Sequence, residues 1–186
     1  MEIYCTRPSC GHLNVFPDLA QGNTLKTAQQ KFCVRCGMPL ILGGRYLPEK
    51  PLARGGFGAT YVARDRYTPA MRRCVVKQLQ PTGLTPDQMK IAQAMFEREG
   101  AVLEDLGRHP NIPDLLAFFP MQAGQEEYFY LVQEFINGLN LQEVMEQHGP
   151  LTESDLRDIL GTLLPVLQFV HSKGSIHRDI KPANIM

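Results

Sequence analysis

Near the end of the chain, His177-Arg178-Asp179-Ile180-Lys181-Pro182-Ala183-Asn184 places a carboxylate, an ammonium and a primary amide within six consecutive positions. A carboxylate on such a loop orients a hydroxyl and accepts its proton. An ammonium neutralises charge on a phosphoryl group in transit, and an amide oxygen is a hard ligand of the kind magnesium prefers. The set suits phosphoryl transfer to a hydroxyl, with Asp179 as base, Lys181 beside the transferred group and Asn184 on the metal. A surface turn of mixed charge would account for any one of these pairs, but the whole run is far more specific.

Cysteines mark a second chemical centre. Cys5-Thr-Arg-Pro-Ser-Cys10-Gly11 and Cys33-Val-Arg-Cys36-Gly37 form C-x4-C and C-x2-C turns separated by 22 residues. Two thiolates from each turn can meet at one tetrahedral zinc, and a glycine after each pair lets the turn curl back. The spacer is poor in large apolar residues, so residues 1–40 read as a small zinc ribbon that depends on metal for stability. Reduced, unligated cysteines in a flexible tail and a redox-sensing role are the alternatives. His12 reads as a bystander, and Cys74, inside an apolar strand, as a small buried hydrophobe.

The elements that would position the loop chemistry lie between. Pro39 to Gly44 reads as a linker, with 41–45 joining the ribbon to the first strand of the larger domain. Two strands, Tyr46 to Arg54 and Ala59 to Asp65, flank the turn Gly55-Gly56-Phe57-Gly58, whose backbone amides can approach phosphate oxygens with no Cβ in the way. A strand over Arg72 to Gln80 carries Lys77. Thr85-Pro86-Asp87-Gln88 is a capping box with proline at the first helical position, opening a helix that runs to about Leu106 and stops at Gly107. One stripe of that helix holds Ala92, Phe96, Glu99, Leu103 and Leu106. A carboxylate among apolar residues requires a cation, and Lys77 is the candidate for Glu99. Leu115 to Met121 and Tyr128 to Ile136 read as a strand pair across a polar loop, Gln122 to Glu127. Leu141 to Gln147 reads as a short helix. Thr152 to Asp155 caps a longer one with Leu156, Ile159, Leu160, Leu163, Leu167 and Val170 on one face, and Pro165 is expected to kink or open it.

The 186 residues are 44% hydrophobic with a formal net charge of zero, which fits one medium globular domain plus a small module. No global field draws the chain to nucleic acid or an anionic membrane, and no apolar stretch approaches the ~20 residues of a membrane span. The amino terminus lacks the features of a secretory signal, and paired cysteines suit a reducing compartment, so the expected location is cytoplasmic.

Taken in order, the glycine turn, Lys77, Glu99, the 134–138 segment and the 177–184 loop resemble the first half or more of a eukaryotic-type serine/threonine protein kinase over residues 45–186. The resemblance implies an α+β fold: a five-stranded antiparallel lobe with one long helix over 46–136, and the start of a helical lobe over 137–186. It implies ATP with magnesium as cofactors and protein Ser/Thr hydroxyls as substrates. Leu52, Gly55, Gly56, Phe57, Gly58, Thr60, Lys77, Glu99, Glu134 and Ile136 would line the nucleotide, with Gln133 as gatekeeper and Ile136 at the adenine hinge. Asp179, Lys181 and Lys77 would act in the chemistry, with Asn184 on magnesium. A four-cysteine ribbon ahead of such a domain is similar to a group of cyanobacterial kinases. Ala53 and Thr60 depart mildly from the family pattern. No Asp-Phe-Gly metal-binding motif follows Asn184 within the 186 residues, so this chain alone is expected to be an inactive, poorly stable fragment, with the 152–173 helix face open to a partner. A non-catalytic nucleotide-binding module and a ribbon-based adaptor are the competing readings. The intact set of Lys77, Glu99, Asp179 and Asn184 argues against the first. Zero net charge and few aromatics in the ribbon argue against nucleic acid for the second.

Overall fold

The computed structural model describes residues 1–17, 24–55, 58–79, 85–107 and 109–186. They fall into two compact units, 1–101 with 114–135, and 102–113 with 136–186.

In the first unit, β1 (Glu2–Tyr4) pairs antiparallel with β2 (Leu13–Val15), and α1 (Thr24–Thr27) is a single helical turn. Beyond them lies a five-stranded antiparallel sheet, built from β3 (Tyr46–Gly55), β4 (Gly58–Asp65), β5 (Arg73–Leu79), β6 (Leu115–Ala123) and β7 (Glu126–Glu134) in the order β3-β4-β5-β7-β6. Helix α2 (Pro86–Leu106) starts in this unit. Its capping box forms as the sequence predicts: Gln88 N–H donates to the Thr85 hydroxyl at 3.3 Å and Thr85 N–H donates to Gln88 Oε1 at 2.9 Å. The second unit holds α3 (Leu141–His148), α4 (Glu153–Ser172) and a 3-10 turn, Pro182–Asn184. Asn140 and Thr152 cap α3 and α4 with reciprocal capping boxes. Helix α4 runs unbroken through Pro165, where the kink or opening was expected. The carbonyl that loses its donor there belongs to Gly161, a residue without a Cβ and with open space around it.

Alternation along the strands gives the sheet two different faces. One cross-strand row is Thr60, Lys77, Leu131 and Phe118; the next is Ala59, Gln78, Tyr130 and Phe119. Helix α2 packs on the first face, where Phe96 meets Phe118 with ring centroids 5.6 Å apart. The second face carries the main core. Cys74, Val76, Tyr128, Tyr130 and Val132 from the sheet cluster there with Ile3, Cys5, Cys33, Met38, Leu40, Ile41 and Leu42 from the amino-terminal segment. Phe119 stacks between Tyr46 and Tyr130 in the same layer.

The segment expected as a linker is therefore core. Leu40, Ile41 and Leu42 are buried, Ile41 exchanges two hydrogen bonds of 3.0 Å with the Gln30 side chain, and Leu42 exchanges backbone bonds with Tyr46. Gly43 and Gly44 are turn residues and Pro39 pairs with Phe32 in an isolated antiparallel bridge, but the apolar run between them fills the space over the sheet. Gly43 sits at φ +54°, and any Cβ there would press on the Phe119 ring. The strand pair also differs in extent: β6 and β7 run to Ala123 and from Glu126, so the six-residue loop shrinks to Gly124 and Gln125, and β7 stops at Glu134 rather than Ile136. Cys74 is fully buried, and burial pushes its thiol up to about 12, as fits an inert core residue.

Full burial of one aliphatic side chain contributes about 1.5–3 kcal/mol. Leu42→Ala is expected to cost about 2–5 kcal/mol in urea unfolding. Val34→Ala, at a side chain that is mostly exposed, is expected to stay within about 0.5 kcal/mol. Equal midpoints for the two would mean that 40–42 is not core.

Candidate functional site

Three clusters of chemically capable side chains form within the described residues. The first is on the α2 face of the sheet. Lys77 Nζ lies 2.6 Å from Glu99 Oε1. Glu99 does not sit sunk among apolar residues as its helical stripe suggested. Phe96 and Gly100 take the buried positions and Glu99 stands at the stripe's edge, with 43% of its side chain exposed and 33% of Lys77. An ion pair this exposed adds little stability, so its effect is to aim the ammonium. Thr60 is Lys77's cross-strand neighbour, and Gln133, paired with Val75, shares the Lys77 face.

Gly55 pairs with Gly58 and closes the β3–β4 hairpin, while Gly56 and Phe57 lie outside the described residues. Gly58 is required sterically, because a Cβ there would collide with the Gln78 carbonyl. Leu52 is half-exposed and falls where the β3–β4 register shifts. Glu134 ends β7 and its N–H donates to the Asp114 carbonyl at 2.9 Å. Ile136 lies outside the ladder and is 38% exposed.

The second cluster, in the second unit, is the 177–184 loop. Lys181 Nζ is 2.8 Å from Asp179 Oδ2, and Asn184 Nδ2 donates to the Asp179 carbonyl at 2.9 Å and to its carboxylate at 3.0 Å. Both bonds use the amide nitrogen, which leaves the amide oxygen for a hard cation. The loop is held at its far end by Leu141 N–H donating to the Ile185 carbonyl at 2.8 Å, and within itself by Asp179 N–H donating to His177 Nδ1 at 3.3 Å. Arg178 adopts φ +63°, a backbone state rare for a residue with a Cβ. Hydrogen bonds from Lys181 and then Asn184 hold the Asp179 carboxyl below the usual carboxylate range.

The third cluster is the cysteine set. The thiol sulfurs of Cys5, Cys10, Cys33 and Cys36 all lie within 4.8 Å of one another, with Cys5–Cys36 at 3.5 Å and Cys10–Cys33 at 3.8 Å. Tetrahedral ligation with bonds of about 2.3 Å places sulfurs about 3.8 Å apart, so the set fits one ion. Gly11 and Gly37 both take positive φ at the turns, as their position after each pair requires. His12 is not in the cluster. Burial opposes ionisation of Cys33, but backbone N–H groups of Arg35 and Cys36 and the Asn14 side chain outweigh it and bring the thiol to about 7. Asn14 was not singled out from the sequence. It is buried, donates to Cys33 Sγ at 3.6 Å and to the His12 carbonyl at 3.0 Å, and accepts from Val34 N–H at 3.0 Å. A lone amide inside the apolar alternation of Leu13-Asn14-Val15 was its only signal.

Residues 46–186 match the family described as protein kinase domain. The chain belongs to the protein kinase family. It is similar to serine/threonine-protein kinase F of Synechocystis sp., at 57% identity over 194 residues that cover 100% of this chain and 39% of that protein. Serine/threonine-protein kinase B of the same organism is 39% identical over 183 residues, 98% of this chain and 29% of that protein. PknA of Nostoc sp., a serine/threonine-protein kinase, is 49% identical over 150 residues, 80% of this chain and 26% of that protein. The chain thus spans two-fifths or less of the length of these relatives, and the first two alignments extend through the cysteine module as well as the kinase region. Among the described residues, no helix is long and apolar enough to cross a membrane.

The Asp179 carboxyl provides a direct check on the loop. In Lys181→Met its titration, followed by carboxyl carbon NMR, is expected to move up towards the ordinary carboxylate value. An unchanged midpoint would mean that the 2.8 Å contact does not hold the carboxylate ionised.

Proposed function

We propose that this chain supplies the ATP-binding lobe and catalytic loop of a protein serine/threonine kinase that transfers the ATP γ-phosphate to protein hydroxyls. The observation that carries this reading is the 2.6 Å Lys77–Glu99 pair, because a lysine fixed by a carboxylate partner can hold nucleotide phosphates in a repeatable place. Glu99 fixes the ammonium of Lys77 for the α- and β-phosphates. Gly55 and Gly58 bring backbone amides of the β3–β4 hairpin over the phosphates, and Leu52, Thr60, Gln133, Glu134 and Ile136 frame the base and sugar. Asp179, already ionised, orients the acceptor hydroxyl and takes its proton. Lys181 then leaves Asp179 to meet the charge on the transferred group. Asn184 would hold magnesium, which neutralises phosphate charge when bound.

The four-cysteine set, whose sulfur spacing fits a tetrahedral ion, supports a structural zinc held by Cys5, Cys10, Cys33 and Cys36. The same thiolates suit a reducing cytoplasm. We further propose that a protein partner covers the face of α4 on which Leu156, Leu160 and Leu164 are each about half exposed.

On the full-length protein, Lys77→Met is expected to weaken ATP binding about tenfold or more. Asp179→Asn is expected to leave binding near wild type while slowing phosphate transfer to a protein substrate by about 10²–10⁴. Transfer at wild-type rate by Asp179→Asn would contradict the assignment. Elemental analysis is expected to find one zinc per chain, lost in Cys33→Ser with Cys36→Ser.

A further inference from the structure

Lys77 has a neighbour whose side chain points the other way. Gln78 is 1% exposed, and its Nε2 donates to Tyr130 Oη at 2.9 Å. The same oxygen shares a 2.9 Å hydrogen bond with the hydroxyl of Thr6. Thr6 directly follows Cys5 in the first cysteine turn, and Gln78 directly follows Lys77. This chain of bonds therefore begins next to a thiol ligand and ends next to the nucleotide lysine. All three side chains are buried, and Tyr130 is the cross-strand partner of Gln78. Buried polar groups must be paired, and Gln78 Oε1 has no partner among the described residues. An aliphatic residue would avoid that cost, so the amide's one strong bond, to Tyr130, is what its presence in the core provides.

The contact between cysteine turn and sheet continues on either side. Arg7 lies 3.4 Å from both the Ala123 carbonyl and the Glu126 carboxylate at the β6–β7 hairpin. Arg54, one residue before the glycine turn, reaches the Pro8 carbonyl at 3.3 Å. The Gln78 carbonyl also lies against Gly58, so the residue that makes the buried bond braces the phosphate hairpin as well.

We propose that Gln78 and Tyr130 are positioning residues for Lys77: through Thr6 they tie the four-cysteine turn to the lysine strand, so that metal loading of the cysteines and nucleotide binding strengthen each other. This rests on the reading of Lys77 as a nucleotide ligand. A strand gripped from one face has less freedom to move the ammonium on the other. Ordering by one ligand lowers the ordering left to the second. The effect is reciprocal, so nucleotide must raise metal affinity by the same factor that metal raises nucleotide affinity.

The test measures the dissociation constant of a fluorescent ATP analogue with magnesium on the full-length protein, zinc-loaded and chelated. Zinc affinity by chelator competition, with and without the analogue, supplies the reciprocal arm. In the wild type, chelation is expected to weaken nucleotide binding at least about fivefold, and nucleotide to tighten zinc by the same factor. In Tyr130→Phe, which keeps the ring and removes only the hydroxyl, the protein is expected to bind both ligands with the factor falling towards one. Thr6→Val breaks the bond from the other end and serves if Tyr130→Phe does not fold. A wild-type factor of one, or a factor unchanged in whichever variant folds, would overturn the linkage while leaving the proposed function standing. Unfolding of wild type and variant alike on chelation would also overturn it, since metal would then act on the whole lobe and not through these bonds. Failure of the zinc-loaded wild type to bind nucleotide would overturn the proposed function and the linkage together.

Discussion

The structure of the first unit depends on one strand whose successive residues serve opposite faces. In β5, Val75 and Lys77 face α2, while Cys74, Val76 and Gln78 are buried beneath the amino-terminal segment. Because a strand alternates strictly, neither face can be changed without moving the other. The lysine is thus positioned by what lies behind it as much as by Glu99 in front. The exposed pair with Glu99 sets direction, but the aromatic layer of Tyr46, Phe119 and Tyr130 under the cysteine module sets where the strand lies. That division rests on magnitudes: an exposed ion pair contributes at most about 1 kcal/mol, whereas several buried aromatics and aliphatics contribute about 1.5–3 kcal/mol each.

The 177–184 loop in the second unit is held by different means. Its geometry is local, set by a 3-10 turn, the positive φ of Arg178 and the hydrogen bonds of Asn184 to Asp179. None of these residues is buried. The carboxylate is kept ionised by Lys181 and Asn184, and the same lysine is the group that a transferring phosphoryl would attract. Under the proposed function, an electrostatic contact that holds Asp179 before substrate arrives and can be exchanged during transfer suits a reaction whose catalysis is mainly positioning and charge.

Much of this was legible in the sequence because its signals are local. The capping boxes at Thr85 and Thr152, the glycines after each cysteine pair, and the alternation around Lys77 each specify geometry within a few residues. What the sequence could not reveal was which element covers which face. Leu40-Ile41-Leu42, bracketed by Pro39 and Gly43, carries the punctuation of a linker, yet its three side chains complete a core that the cysteine module shares with the sheet. The spacer's shortage of apolar residues points to a need for metal, and the sheet supplies part of that need. Glu99 is more exposed than its helical stripe suggests for a related reason. A helical stripe shows which residues share a side, but not how far the sheet beneath extends. Ile136 fell outside its strand because apolar character continues past the last ladder bond at Glu134. Thr6, Gln78 and Tyr130 have no sequence signal beyond being polar in apolar surroundings, since their significance lies in a contact spanning 124 residues.

Amide hydrogen exchange of residues 73–79 and 126–134, compared between zinc-loaded and chelated protein that remains folded, tests most directly whether the cysteine module supports the lysine strand. The account predicts that β5 and β7 lose protection together when the metal is removed, with the change centred on Gln78 and Tyr130. Unchanged protection in both strands, while residues 1–17 exchange freely, would contradict it.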